Sequence, residues 1–235
     1  MRDNKLLSRF LFFAGMAFSA FITRRVNFKF QFLQKSFGDK SFKLLDVGAG
    51  NHSASRITSL FPGCEYYGLD MDKTYNNSDS DFKVMKDFYQ LDLTRLDYGI
   101  VPDQYFDGIW MAHVIEHLYN GDEVLPRLIQ KLKPGGYFYV EYPGRKSTRL
   151  PSMKGTLNFK DDTTHVRLYS VPEISRIFEN NGCKVLSSGT RRNWYYIASL
   201  PLRLVISLIK NGYVQGNVFW DLLGFAEYVY VQKRN

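Results

Sequence analysis

Three groups of residues in this 235-residue chain have the types and spacing to do chemistry. Acids close three apolar, strand-like runs: Asp46 after Lys43-Leu44-Leu45, Asp70 after Glu65-Tyr66-Tyr67-Gly68-Leu69, and Asp92 after Phe88 to Leu91. Histidines surround Glu116 in His113-Val114-Ile115-Glu116-His117, with His165 further along. Bases crowd one loop, at Arg145, Lys146, Arg149, Lys154 and Lys160, with no acid until Asp161. A carboxylate at a strand end can hold ribose hydroxyls. An imidazole that titrates near neutrality can move a proton. A guanidinium cluster can receive phosphate, pyrophosphate or carboxylate, although a solvated loop reads the same way.

The first acid opens the sharpest pattern, Asp46-Val47-Gly48-Ala49-Gly50-Asn51-His52, with helical sequence following at Ser53 to Phe61. Missing side chains at Gly48 and Gly50 allow a tight turn and close approach of backbone to a ligand. With Asp70 about twenty residues on, the pair reads as a site for a nucleoside-containing cofactor. A dinucleotide fingerprint would want a third glycine at position 53, which is Ser. The spelling H-x-x-E-H at 113–117 also matches an inverted zinc peptidase. That site needs a third ligand on a supporting helix, whereas here a strand end meets a very short helix, so no metal is assigned. A loop without chemistry is the plain alternative for His117.

Strands and helices alternate behind these residues. Phe106 to Met111 reads as a fourth strand and Glu123 to Leu132 as a helix stopped by Lys133-Pro134-Gly135-Gly136. Tyr137 to Tyr142 reads as a fifth strand. Ser170-x-x-Glu173 spells a capping box for a helix ending at Asn181-Gly182. Cys183 to Ser187 and Glu227 to Gln232 read as the last two strands, and the polar run Asn76 to Asp81 shortens the helix after the second. The acid-x-Gly-x-Gly motif, "FDGIWMAHVIEHL", "LKPGGYFYVEYP" and Asp162-Thr163-Thr164-His165-Val166-Arg167-Leu168-Tyr169-Ser170 occur in that order. Together, over about 41 to 190, they resemble class I S-adenosylmethionine-dependent methyltransferases, in the small-molecule, type 11-like branch. His52 departs from the family pattern, which has a third glycine there.

The resemblance implies a Rossmann-like α/β fold with a seven-stranded, mostly parallel sheet, an antiparallel last strand, and helices on both faces. It implies S-adenosyl-L-methionine as cofactor. Asp46, Gly48, Ala49 and Gly50 would cradle the methionine part, Asp70 with Met71 the ribose, and Asp92 with Leu93 the adenine, with His113 at the mouth of the fourth strand. A sulfonium methyl is already activated, so the enzyme must chiefly align the acceptor. A hydroxyl acceptor must also lose a proton. His165 is the first candidate to take it, followed by Glu116 and His117. Arg145, Lys146, Arg149 and Arg167 are the candidates for binding an anionic acceptor. O-methylation of a small-molecule or lipid-linked acceptor is favoured. A non-catalytic scaffold that keeps the fold, and an NAD-dependent reductase, are the alternatives. A nucleic-acid enzyme is disfavoured, since no Asn/Asp-Pro-Pro-aromatic tetrapeptide occurs.

Charge divides the chain into three. Residues 1–40 carry eight Lys/Arg against two acids, residues 41–190 seventeen against nineteen, and residues 191–235 six against two. A nearly neutral methyltransferase core, 41–190, is thus flanked by a basic, apolar N-terminal helical segment, 1–40, and by an apolar helical insertion with the final strand, 191–235. Phe10 to Ile22 is too short to span a bilayer. It reads as a lid packed on the domain, an interfacial helix on anionic lipid, or a signal core with Gly15-x-Ala17 as a weak cleavage site. A signal would send the enzyme where its cofactor is scarce. Leu200 to Lys210 reads as a second apolar helix, which either caps the first flank or shares a membrane surface with it. Cys64 and Cys183 have no metal spacing and fit reduced thiols. The expectation is a cytoplasmic enzyme, in part peripheral on the cytoplasmic membrane face, its oligomeric state unread.

Overall fold

The computed structural model describes residues 19–235. Most of the apolar segment Phe10 to Ile22 lies outside them, and its lid, interfacial and signal readings lie there with it.

Seven strands form one sheet: β1 Phe42–Val47, β2 Cys64–Asp70, β3 Met85–Gln90, β4 Phe106–Ala112, β5 Leu132–Pro143, β6 Cys183–Thr190 and β7 Ala226–Lys233. Their order is β3-β2-β1-β4-β5-β7-β6. β1 to β5 pair in parallel, and β7 runs antiparallel to both β5 and β6. This is the sheet the resemblance implies. The chain reverses between β3-β2-β1 and β4-β5, which opens a crevice beyond the carboxyl ends of β1 and β4.

Both faces of the sheet are covered, so successive residues of β1 are buried regardless of side. Leu45 and Val47 join Ile109, Met111, Phe138 and Val140 on one face, against the helices Gly121–Lys131 and Val171–Asn180. Leu44 joins Tyr66, Trp110, Tyr139 and Tyr230 on the other, against Ser53–Leu60 and Phe28–Phe37. The helix Phe28–Phe37, from the basic flank, is therefore part of the core: Phe30 and Leu33 are fully buried, and Phe37 stacks on Phe42 at 4.1 Å.

Two local expectations change. β5 begins at Leu132 rather than Tyr137, because a register shift between Phe106 and Gly108 absorbs the Pro134-Gly135-Gly136 bend into the ladder. Ser170 makes no side-chain cap, and Glu173 accepts a hydrogen bond from Arg167 instead (2.9 Å), so the capping box is spelled but not built. A capping box does form at Ser78 and Asp81, opening the short helix Asp79–Val84 inside the polar run.

The two flanks meet. Asn193 donates to the Val26 carbonyl at 2.6 Å, and Asn27 lies 3.4 Å from the Tyr196 hydroxyl. Residues 19–26 are helical ahead of this contact. Beyond it, helix Leu200–Asn211 buries only Ser207 and leaves Leu202, Val205, Ile206, Leu208 and Ile209 exposed, Ile209 by 78%. Among the described residues no helix is long and apolar enough to cross a membrane.

Candidate active site

The crevice at the sheet reversal is a cleft of about 1150 Å³. Single-ligand sites usually enclose roughly 300–1,000 Å³. Its floor is the turn after β1. Gly48 has φ +82°, and a Cβ there would sit 2.3 Å from Cγ2 of Val114. At Gly50 a Cβ would fall 2.7 Å from the Tyr75 ring. Both positions are closed to any other residue, one by φ and contact, the other by contact. Asn51 and His52 follow with φ of 52° and 57°, in the left-handed region that glycine enters most freely. His52 is held there by Asp81, whose carboxylate lies 2.7 Å from its Nδ1 and also accepts from the Ser55 amide. Burial pushes Asp81 up, but hydrogen bonds from Ser55, His52 and Ser78 outweigh it and hold the carboxyl well below its ordinary range. The missing third glycine is thus offset by a buried acid nearly thirty residues away.

Of the turn residues assigned to the cofactor, Gly48 lines the cleft and the others lie beneath it. Asp46 accepts the Tyr66 hydroxyl at 2.6 Å, and burial raises its pKa. Ala49 is fully buried, and its carbonyl accepts from Asn77. Asp70 and Met71 line the cleft. One Asp70 oxygen accepts the Asp72 amide at 2.9 Å, and the other has no hydrogen-bond partner among the described residues. Asp92 and Leu93 line it too. Asp92 is locked by the Thr94 hydroxyl and amide, which hold its carboxyl below the usual value.

His113 lies at the end of β4 as expected, but both ring nitrogens are committed. Nδ1 is 3.2 Å from Glu116 Oε1, and Nε2 is 3.0 Å from Glu141 Oε1. A ring between two carboxylates donates from both nitrogens and is an imidazolium. Burial opposes that charge, yet the two glutamates raise the pKa to about 9. Glu141 also accepts from Arg191 at 2.7 Å, and Arg191 pairs with Asp221 at 2.8 Å. The side chain of His113 therefore joins β4 to β5 and the insertion, and its ring packs 4.9 Å from Trp220.

Glu116, His117 and His165 come together in the cleft beside His113. Glu116 and His117 sit on the 3₁₀ turn Ile115–His117, placed by Tyr169, whose hydroxyl donates to the Leu118 carbonyl and accepts from the Gly121 amide. His165 follows the turn Phe159–Asp161, with its ring 4.9 Å from that of His117. Nδ1 of His165 donates to the Phe159 carbonyl at 2.6 Å, and Nδ1 of His117 faces the Thr164 carbonyl at 3.2 Å. The Thr164 hydroxyl, 2.9 Å from His117 Nδ1, gives its own proton to Asp162, and a carbonyl only accepts, so in the neutral rings both Nε2 atoms carry the lone pair. The two histidines, 48 positions apart, thus present proton-accepting atoms to one space.

The basic candidates lie elsewhere. Arg145, Lys146 and Arg149 line a second hollow of about 530 Å³ and no part of the main cleft. Arg167 is committed to Asp122 (2.6 Å), Glu173 (2.9 Å) and the Tyr119 carbonyl (3.0 Å), and braces the loop instead of facing the cleft. The sequence reading did not identify the residues that enclose the cleft from the flanks: Asn27, Phe28 and Lys29 from one, Tyr196, Trp220 and Phe225 from the other. Only the aromatic richness of the insertion hinted at them.

The sequence pattern of the family described as "methyltransferase domain" matches residues 18–188. No curated protein sequence matches the chain. Among solved structures, it is similar to the methyltransferase complexed with the Trm112 activator of Haloferax volcanii (14% identity, TM-score 0.61, 91% of this chain and 92% of that one). It is also similar to a SAM-dependent methyltransferase of Archaeoglobus fulgidus (18%, TM-score 0.54, 93% and 94%). A third is phosphoethanolamine N-methyltransferase 2 of Haemonchus contortus, bound to phosphomonomethylethanolamine and S-adenosylhomocysteine (18%, TM-score 0.61, 93% and 58%). At these identities the likeness establishes the fold.

Proposed function

Because the chain belongs to the methyltransferase-domain family, with S-adenosyl-L-methionine as its cofactor, we propose that it methylates an oxygen of a small-molecule or lipid-linked acceptor. The observation that carries this reading is the continuity of one cleft from Gly48, Asp70 and Asp92 to His117 and His165. The first three stand where a nucleoside and its methionine would lie, and the volume leaves room for a second molecule. In the reaction an acceptor oxygen forms a bond to the methyl carbon. The carbon–sulfur bond breaks, its pair returns to sulfur, and the hydroxyl proton leaves at the Glu116–His117–His165 group. The cleft supplies alignment of the two reactants. A lipid-linked acceptor is supported by the exposed apolar helix Leu200–Asn211, which adjoins the cleft-lining Tyr196 in sequence.

A scaffold that keeps the fold drew its support from His52 and from the short segment after Asp70; the Asp81 contact accounts for His52 without loss of the turn, and that segment, with its short helix Asp79–Val84, supplies Asp81. Calorimetric titration with S-adenosylmethionine, S-adenosylhomocysteine and NAD tests the reading. The first two should bind at micromolar levels and NAD should not. His165→Ala should keep that binding and lower methyl transfer to a hydroxyl acceptor by about 10²–10⁴-fold. Absence of cofactor binding by a folded chain would return the scaffold to first place.

A further inference from the structure

We propose that Glu116, His117 and His165 hold a divalent first-row transition ion, and that this ion grips the acceptor oxygen. The inference deepens the methyl-transfer reading and rests on it for the identity of the acceptor atom. One ligand-capable atom from each of the three residues lies within 4.8 Å of the others. Atoms bonded to one ion at about 2.1 Å can be at most about 4.2 Å apart, so a side-chain-scale contraction closes the site. His165 Nε2 and Glu116 Oε1 are already 3.9 Å apart, too far for a hydrogen bond and right for two ligands of one ion.

The protons point the same way. Both histidines spend Nδ1–H on loop oxygens, His165 on the Phe159 carbonyl and His117 on the Thr164 hydroxyl and carbonyl, the outer contact that orients metal-ligating imidazoles and leaves Nε2 to coordinate. Glu116 is 1% exposed, and its Oε2 is buried with no hydrogen-bond partner among the described residues. The two Nε2 lone pairs converge on a carboxylate whose Oε1 accepts from His113 and whose Oε2 has no partner among the described residues. Unsatisfied buried carboxylate oxygens are costly, and a cation removes that cost. Asp162, whose Oδ2 is 3.8 Å from His165 Nε2, stands beside the group as a further oxygen ligand.

The H-x-x-E-H spelling misleads about which atoms cooperate. On a 3₁₀ turn the first histidine does not face the second, and His113 is consumed between Glu116 and Glu141. The third ligand comes from the segment after β5, which no helix pattern could supply. Two imidazoles and a carboxylate suit zinc or manganese better than calcium or magnesium. Three protein ligands leave open positions on the cleft side. A hydroxyl bound there has its pKa lowered by the ion, releases its proton to water, and attacks the methyl carbon as an alkoxide. His117 and His165 then act as ligands that place the acceptor, and no side-chain base is required.

The test is titration of the full chain, stripped with chelator, by Zn²⁺ and separately by Mn²⁺, with Co²⁺ absorption as a second readout. Cys64 and Cys183 are both buried and will not compete. One equivalent should bind, and His117→Ala and His165→Ala should each weaken it by about 100-fold or more, above the 10–100-fold typical of outer-shell changes. His117→Ala, at a more exposed position than Glu116→Gln, keeps the test independent of folding. Wild-type binding no tighter than that of His117→Ala would overturn the site. Cofactor titration of the same samples separates the two ideas. Metal binding without S-adenosylmethionine binding would uphold the site and remove the methyl-transfer reading; the reverse would remove the site alone.

Discussion

At the residue scale, the turn after β1 shows how far local chemistry can be read in advance. Gly48 and Gly50 are required for reasons their identity announces, a positive φ and the Val114 side chain at the first and the crowding Tyr75 ring at the second. Asp70 was legible as a strand-end acid, and it lines the cleft with one carboxylate oxygen free of hydrogen bonds among the described residues. Asp70→Ala should weaken S-adenosylmethionine binding by about tenfold or more, the worth of a hydrogen bond to a charged group, with little change in the unfolding midpoint. Unchanged affinity by calorimetry would show that another residue holds the ribose. His52 was legible only as a departure. Its partner Asp81 is buried by a loop whose sequence says no more than that it is polar.

At the element scale, β1 and β2 were readable because each is a short apolar run closed by an acid, and β4 and β5 by their apolar runs on either side of one helix. The helix Phe28–Phe37 was readable as helical and apolar, but its place in the core was not, since an apolar helix face looks the same whether it meets protein or lipid. Leu200–Asn211 presents the opposite result, with its large apolar side chains in solvent. An exposed apolar face of this kind marks an interaction surface. Replacing Leu202 and Ile209 together by Glu should reduce co-sedimentation with anionic liposomes several-fold, while stability shifts by no more than about 0.5 kcal/mol per site. Undiminished sedimentation would remove this helix from the membrane contact.

Across the whole molecule, a buried chain of charges, Glu116–His113–Glu141–Arg191–Asp221, runs from β4 through β5 into the insertion before β7. It ties the cleft wall to the segment that closes it. Arg191→Met would leave Glu141 and Asp221 buried without their cation, at a cost of about 3–5 kcal/mol in urea unfolding. The acid dependence follows from Glu141. Burial raises its pKa, but Arg191, His113 and Tyr139 outweigh burial and hold the carboxyl far below its ordinary value of 4.5. A group depressed on folding stabilises the protein above its unfolded pKa and loses that contribution as the pH falls. Unfolding midpoints should therefore rise slightly from pH 7 to pH 5.5, as His113, raised to about 9, reaches its full contribution below 6.5, and decline below about 4.5, less steeply in Arg191→Met. Parallel profiles for the two proteins would show that Glu141 is not the titrating group.

The sequence by itself determined the class of fold, the glycine turn after β1 and the elements that flank it, because those properties reside in spacing along one strand, one turn and one helix. It also named Glu116, His117 and His165, though as separate candidates. Only the tertiary structure decided that His113 is tied into a salt-bridge network in the cleft wall, that the basic loop faces a different hollow, and that both flanks line the cleft. These depend on which side chains meet across elements tens of residues apart, and a 3₁₀ turn, a register shift or a stray buried acid is enough to redirect them.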